Sequence, residues 1–519
     1  MKTALIATAA LSALAAFAEP NDWENTAVNS RNREPARAYS MPLASADAAL
    51  TDALEPATPY RVSLNGTWKI SWCGNPALRP LDFWKTDFDD SNWFTIDVPS
   101  CVEMRGFGSP GYVNVRYPHA NKWPRILNRD TEKPDYNPVS SYRRTFTVPT
   151  DWAGRDVFIR FDGVYSAYYV WVNGQMVGYA EDSKLPSEFN ITKYLKDGEN
   201  QLAVEVYRWC DGSYLEDQDM FRYSGIYRDV SLFATPKVRL DDFYVTQTFS
   251  PDYRNATLNL KTTVRGGDAK VSATLYDAQF RPVGTFTDKL DVPNVHLWSA
   301  EDPYLYTLVM KAGDDIRACR VGFKEVKIVG NAIVFNGKKI KFKGVNRHEC
   351  SPENGRTVSM EEMLKDITLF KQFNINTVRT CHYPDHHSWY DLCDKYGIYV
   401  VAEANVEAHE PGYGKEGLGL HKEWFASIKE RNLNHVTNYR NHPAVTLWSM
   451  GNETGHGPGF IDTIAAVKQL DPTRPIHWER GNIDADVDST MYPSVEWLDG
   501  RGQLGDNIKE AIDLAEKKQ

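Results

Sequence analysis

Residues 446–457 hold the densest chemistry in the chain. An apolar run through Val445, Leu447 and Trp448 gives way to Asn452 and Glu453, with Gly451, Gly455 and Gly457 around them. β-Branched and aromatic residues suit a buried strand, and glycine lets the backbone turn while leaving space for a ligand. The pattern predicts a strand ending in a carboxylate flanked by an amide. The same residues also describe a strand end capped by polar turn residues. A second group, Glu407-x-His409, puts two ligand types on one side of an extended segment. Together with Glu453 it makes a carboxylate-rich site with one imidazole, whose hard oxygen donors favour Mg2+ over Zn2+.

Other runs end in the same way. One ends Asn346-Arg347-His348-Glu349, one Arg379-Thr380-Cys381-His382, one Glu403-Ala404-Asn405, and one Met491-Tyr492. A single histidine at a strand end is more often a hydrogen-bonded structural residue. Several such ends on one rim point to a site, because parallel α/β folds build their sites at the C-terminal edge of the sheet.

The elements that must position these residues begin near residue 326. Strand-like runs at 340–345, 376–380, 398–402, 445–450, 475–478 and 488–491 alternate with helical patterns at 361–373, 387–396, 422–440, 459–470 and 507–517. Such alternation implies a parallel sheet with helical crossovers. Six strands fall short of the eight that close a barrel. The expectation is therefore an incomplete (β/α)8 TIM barrel over 326–519, with an open six-stranded sheet as the other reading. Ahead of it, residues 19–60 form an irregular arm. Short strand-like runs over 62–234, with Asn173-Gly174 as a hairpin signal, suggest a jelly-roll β-sandwich, so that arm and sandwich occupy 19–235. Pro236 opens a segment, 236–325, of the length of an immunoglobulin-like β-sandwich. The chain thus reads as multidomain.

The N-terminus has Lys2, an apolar run over 4–18 and the ending Ala16-Phe17-Ala18, the marks of a cleavable secretory signal peptide at 1–18. That run is short for a bilayer and no later stretch qualifies, so the expected product is exported, periplasmic or secreted, with no membrane span. A formal charge of −10 argues against nucleic acid as a partner. Fifteen Trp and 27 Tyr suit a carbohydrate binder, since aromatic faces stack on sugars, although large β domains are also aromatic-rich. The seven cysteines (Cys73, Cys101, Cys210, Cys319, Cys350, Cys381, Cys393) are odd in number and irregularly spaced, which disfavours a disulfide framework or zinc-thiolate site.

The sequence resembles the family 2 glycoside hydrolases, and among them the large bacterial β-galactosidases. The resemblance rests on Asp22-Trp23-Glu24-Asn25, on the run from Asp211 to Asp219, on Ser224-Gly225-Ile226-Tyr227-Arg228-Asp229, on Gly344 to Glu349, on His382-Tyr383-Pro384, on Arg440-Asn441-His442-Pro443 and on Trp448 to Gly457. It implies that Glu453 is the general acid/base and that Asn452 holds the sugar 2-hydroxyl. It implies Mg2+ on Glu407, His409 and Glu453, and contacts from His348 and His382 to the galactosyl group. Tyr492 would tune the nucleophile and Arg379 would orient it. Asn114 and Asp219 would reach the sugar from the first sandwich, with Asp219 also binding Na+ or K+. The expected substrate is a β-galactoside with a terminal non-reducing β-D-galactose, and the full-length form is expected to be a homo-oligomer. Ala402 stands where close relatives often have Asp.

A retaining glycosidase needs a second carboxylate about 5 Å from the acid. The acids after Tyr492, which are Glu496, Asp499, Asp506, Glu510, Asp513 and Glu516, follow no apolar strand. The expectation is an N-terminal fragment that ends before its nucleophile and is inactive alone. Other readings are a β-glucuronidase or β-mannosidase of the same family, a non-catalytic carbohydrate-binding protein, and a metallohydrolase on Glu407 and His409.

Overall fold

The structure is a computed structural model in which residues 21–479, 481–497 and 500 are described. The signal peptide expected at 1–18 and the helix expected at 507–517 lie outside the described residues.

The first sandwich is built from an antiparallel seven-stranded sheet and a four-stranded one. Alternation drives their packing. Leu202, Val204 and Val206 of the strand Glu199–Tyr207 point into the same core as Ile159 and Phe161 of Asp156–Phe161. The hairpin signal holds: Ala167–Val172 and Gln175–Ala180 pair across Asn173 and Gly174, both at positive φ. A second antiparallel pair of sheets, of three and four strands, runs from Arg239–Phe249 to Asp315–Val321 around Leu258, Leu275, Leu308 and Met310. Residues 326–339 then form a small three-stranded antiparallel sheet.

Beyond it lies a parallel sheet of five strands, labelled here β1 Gly344–Arg347, β2 Thr377–Thr380, β3 Tyr399–Glu403, β4 Val445–Ser449 and β5 Ile476–His477, in that spatial order. Four helices connect them: α1 Met360–Gln372, α2 His387–Tyr396, α3 Lys422–Tyr439 and α4 Pro458–Leu470. α1 starts at a capping box in which Ser359 and Glu362 satisfy each other's backbone N–H groups, and it buries Met363, Ile367 and Phe370 against the sheet. Strands β3 and β4 are buried at every position, as a sheet covered on both faces requires.

The sixth strand expected at 488–491 does not form. The Asn482 side chain accepts from Ser489 N–H and donates to Ser489 C=O, at 2.9 and 3.0 Å. Those backbone groups are spent on a local side chain rather than on a sheet neighbour. Among the described residues the parallel sheet therefore has five strands.

Candidate active site

The C-terminal ends of β1 to β4 converge on Glu403, the last residue of β3, whose carboxylate is fully buried. Arg379 of β2 donates to it twice, Nε to Oε2 at 2.6 Å and Nη2 to Oε1 at 3.0 Å. His382 Nδ1 lies 2.7 Å from Oε1, and Ser449 Oγ of β4 donates to Oε2 at 2.6 Å. Burial opposes ionisation here, but Arg379 and His382 outweigh it and hold the carboxyl far below its usual range. Glu403 is a fixed anion that orients two of the expected site residues.

Arg379 carries the arrangement outward. Its Nη2 donates to Asn452 Oδ1 at 2.9 Å, and Asn452 Nδ2 lies 3.4 Å from Glu453 Oε2. Glu453 sits just past β4 at φ 23°, and its carboxylate meets His409 Nδ1 at 3.3 Å and the Tyr413 hydroxyl at 3.5 Å. The turn that aims it passes through Gly451 at φ 137°, where a Cβ would stand 2.5 Å from Val406 C=O. Only glycine fits there. Thr454 Oγ1 fastens the turn, donating to Asn452 C=O and accepting from Ala408 N–H.

Glu407 completes the group. One donor atom from each of Glu407, His409 and Glu453 lies within 4.8 Å of the others. Glu407 is fully buried and neither carboxylate oxygen has a well-aligned hydrogen bond. Burial pushes its pKa well above the carboxylate range; Glu453 and Asp217 add to this, and the Asn452 side chain offsets part of it. A buried carboxylate without a partner, beside an imidazole and a second carboxylate, fits a hard divalent cation.

The remaining expected residues are His348, Asn114, Asp219 and Tyr492. His348 Nδ1 lies 3.0 Å from the Tyr383 hydroxyl and its ring meets His382 edge-on at 5.5 Å. Desolvation, followed by the neighbouring Arg356 and His382, lowers its pKa. Asn114 and Asp219 stand exposed beside the antiparallel pair of Gly111–Val113 and Met220–Arg222, where Asp219 accepts from the Tyr112 hydroxyl. Asp219 is outside the Glu407 cluster. Tyr492 is 92% exposed, and among the described residues no hydrogen bond or ring contact joins it to the cluster.

Sequence reasoning quoted Glu403 at its strand end but gave it no role. Its signal was a charged residue closing an otherwise apolar strand. It also gave no role to Tyr383, which is packed by Arg356 and Lys184, and missed the seam that holds Glu407. There Leu215 C=O accepts from Glu407 N–H at 2.8 Å and Asp217 N–H donates to Glu407 C=O at 3.0 Å, so the first sandwich adds a short parallel bridge to the rim.

Three models of glycosyl hydrolases family 2 match the chain: the sugar binding domain over 62–236, a model described by the family name alone over 238–324 and the TIM barrel domain over 326–519. A β-galactosidase from Priestia megaterium is 39% identical over 514 residues, covering 91% of this chain and 49% of the relative. One from Psychromonas ingrahamii is 39% identical over 500 residues, covering 91% and 47%. The chain spans about half the length of these curated relatives. Among solved structures, the Ruminococcus gnavus β-glucuronidase in complex with uronic isofagomine has the same fold, with a TM-score of 0.69, 23% identity and coverage of 82% of this chain and 73% of that one. With three consecutive family models along it, the chain belongs to glycoside hydrolase family 2.

Proposed function

We propose that the strand-end rim binds the terminal β-D-galactose of a β-galactoside and that Glu453 serves as general acid/base of a retaining hydrolysis. One observation carries this reading. Glu453 is the carboxylate presented at the end of β4 on a glycine turn, held by His409, Tyr413 and Asn452. An acid placed this way protonates the glycosidic oxygen and later takes a proton from water. Likeness to curated β-galactosidases favours galactose over glucuronic acid or mannose.

The roles proposed for the neighbours come from the family resemblance. Asn452, fixed by Arg379, offers its amide to a sugar hydroxyl. His382 and His348 line the galactosyl side, and Asn114 and Asp219 approach it from the sandwich. Tyr492 belongs to the same proposal as a neighbour of the nucleophile. Glu407, His409 and Glu453 would hold Mg2+, which supplies positive charge beside the acid. Asp219 would share Na+ or K+. The reaction needs a second carboxylate about 5 Å from Glu453. Glu407 is near enough, but a fully buried carboxyl whose charge is disfavoured is a poor nucleophile and a good cation ligand. No described residue is assigned that role. The apolar run at residues 4–18 supports export, and a homo-oligomeric full-length form belongs to the same proposal.

Calorimetric titration with a galactose-derived iminosugar tests the reading, with glucuronic and mannose analogues beside it. Tighter binding of the galactose analogue, weakened at least tenfold by Glu453→Gln, is expected. Equal binding of all three, or indifference to Glu453→Gln, would refute it.

A further inference from the structure

A second cluster of metal-ligating groups lies away from the rim, where the N-terminal arm, the second sandwich and the helical face of the parallel sheet meet. Helix α2 carries Asp391 and Asp394 three residues apart on one face. His442, in the turn after α3, brings Nδ1 to 2.6 Å from Asp394 Oδ2 and 3.9 Å from Asp391 Oδ1. One donor atom from each lies within 4.8 Å of the other two. The three line a cavity of about 80 Å³ closed by Leu54 and Glu55 of the arm and Arg320 of the second sandwich.

The charges around this cavity leave a demand unmet. Asp391 has no hydrogen bond among the described residues. Asp394 Oδ1 accepts from the Ala444 N–H at 2.8 Å, which leaves Oδ2 for His442. The nearby cations, Arg320 among them although its charge acts on Asp391, spend their hydrogen bonds elsewhere. Arg320 donates to the Thr307 hydroxyl and Thr51 C=O, Lys395 to Asp52 C=O, and Arg474 to Asp471. The last turns of α2 also favour positive charge. The cluster of Asp162, His386 and His387 is a contrast, since Arg160 already serves its carboxylate at 2.6 Å.

We propose that Asp391, Asp394 and His442 form a divalent-cation site, separate from the strand-end rim, that ties the arm and the second sandwich to the barrel face. An imidazole with two carboxylates suits first-row ions that accept both nitrogen and oxygen donors, such as Mn2+ or Zn2+. The ion takes the place of the proton between His442 Nδ1 and Asp394 Oδ2, and that proton leaves to solvent. Bond lengths of about 2.1 Å put donor atoms roughly 3.4 Å apart on one ion, so the 2.6 Å pair opens and the 3.9 Å pair closes. Water in the cavity completes the coordination shell.

Mn2+ is the probe, because it avoids the seven thiols of this chain. Metal-stripped protein is titrated and bound ions are counted by electron paramagnetic resonance. Asp391→Asn is expected to bind one Mn2+ fewer than the parent, and Glu407→Gln to keep that ion. Asp391→Ser gives the same count if the asparagine variant does not fold. In the Glu407→Gln background, Mn2+ raises the melting temperature, and adding Asp391→Asn removes the rise. An unchanged count in folded Asp391→Asn and Asp391→Ser, or no bound ion left in Glu407→Gln, would overturn the site. If the rim holds no cation, the parent and Glu407→Gln bind equally while Asp391→Asn still loses its ion, so the two readings fail separately.

Discussion

Glu403→Gln is the most informative change in this protein. The carboxylate accepts two hydrogen bonds from Arg379 and one from Ser449, and pairs with His382, while fully buried. The amide keeps one acceptor oxygen and turns an NH2 on neighbours that are chiefly donors. Arg379, 11% exposed, is then left with Asn452 as its remaining side-chain acceptor. Breaking a buried pair from one side costs about 3–5 kcal/mol, a large part of the 5–15 kcal/mol that holds a typical domain together. The pH dependence has a definite sign. The folded pKa is depressed, so the stabilisation is present above the unfolded value, near 4.5, and is lost as pH falls through the folded value. The parent should lose stability below about pH 5 more steeply than the variant. Urea unfolding followed by tryptophan fluorescence, at pH 7 and in steps down to pH 3, measures both effects. A cost under about 1 kcal/mol, or parallel acid profiles, would show that Glu403 is not the anchor of the rim.

Three further outcomes follow from the geometry. Gly451→Ala places a methyl 2.5 Å from Val406 C=O at φ 137°, so a loss of about 2–4 kcal/mol in chemical denaturation is expected; a loss below about 1 kcal/mol would contradict the turn described here. Lys184 is fully buried with no hydrogen bond to its Nζ among the described residues, and burial with Arg356 and Arg228 lowers its pKa well below 10.5. Lys184→Met should therefore stabilise the protein by about 1–3 kcal/mol at pH 7, with a gap that narrows as pH rises towards the unfolded lysine pKa; a gap that widens with pH would reverse the argument. Asn405 donates to Asp182 and Glu216 at 2.8 Å each and accepts from Gln218 at 3.0 Å. Asn405→Ala should cost about 2–3 kcal/mol and open the seam between sandwich and rim to protease, which limited proteolysis would detect.

The parallel sheet was legible because its signals are local. Apolar runs of strand length alternate with 3.6-residue periodicity, and α1 to α4 fall within a residue or two of the expected bounds. The misses also have local causes. The strand expected at 340–345 appears at Gly344–Arg347, because 326–339 folds back as a small antiparallel sheet and the chain joins the parallel sheet later. The run at 488–491 has strand-like composition, but Asn482 takes its backbone groups. Glu407, His409 and Glu453 were paired in advance because each carried a visible donor. Glu403 was quoted at its strand end but given no role, because an acid there gives no hint that an arginine, a histidine and a serine from other segments will surround it.

Least visible in the sequence was the dependence of the rim on the first sandwich. Gln218 and Asn405 are 187 residues apart, and no local pattern links them. Yet the backbone of residues 215–217 holds Glu407 on both sides, and Arg431 of α3 clamps Glu216 at 2.8 Å. Glu407 cannot choose its own position, since its side chain lacks good hydrogen bonds and its charge is disfavoured by burial. The main-chain bridge fixes it instead. This division of labour lets the side chain remain unsatisfied in the protein alone, which is the condition for cation binding to have a large free-energy gain. A sandwich loop in contact with the next domain is therefore part of the candidate site, and loosening it should weaken cation affinity without touching any ligand.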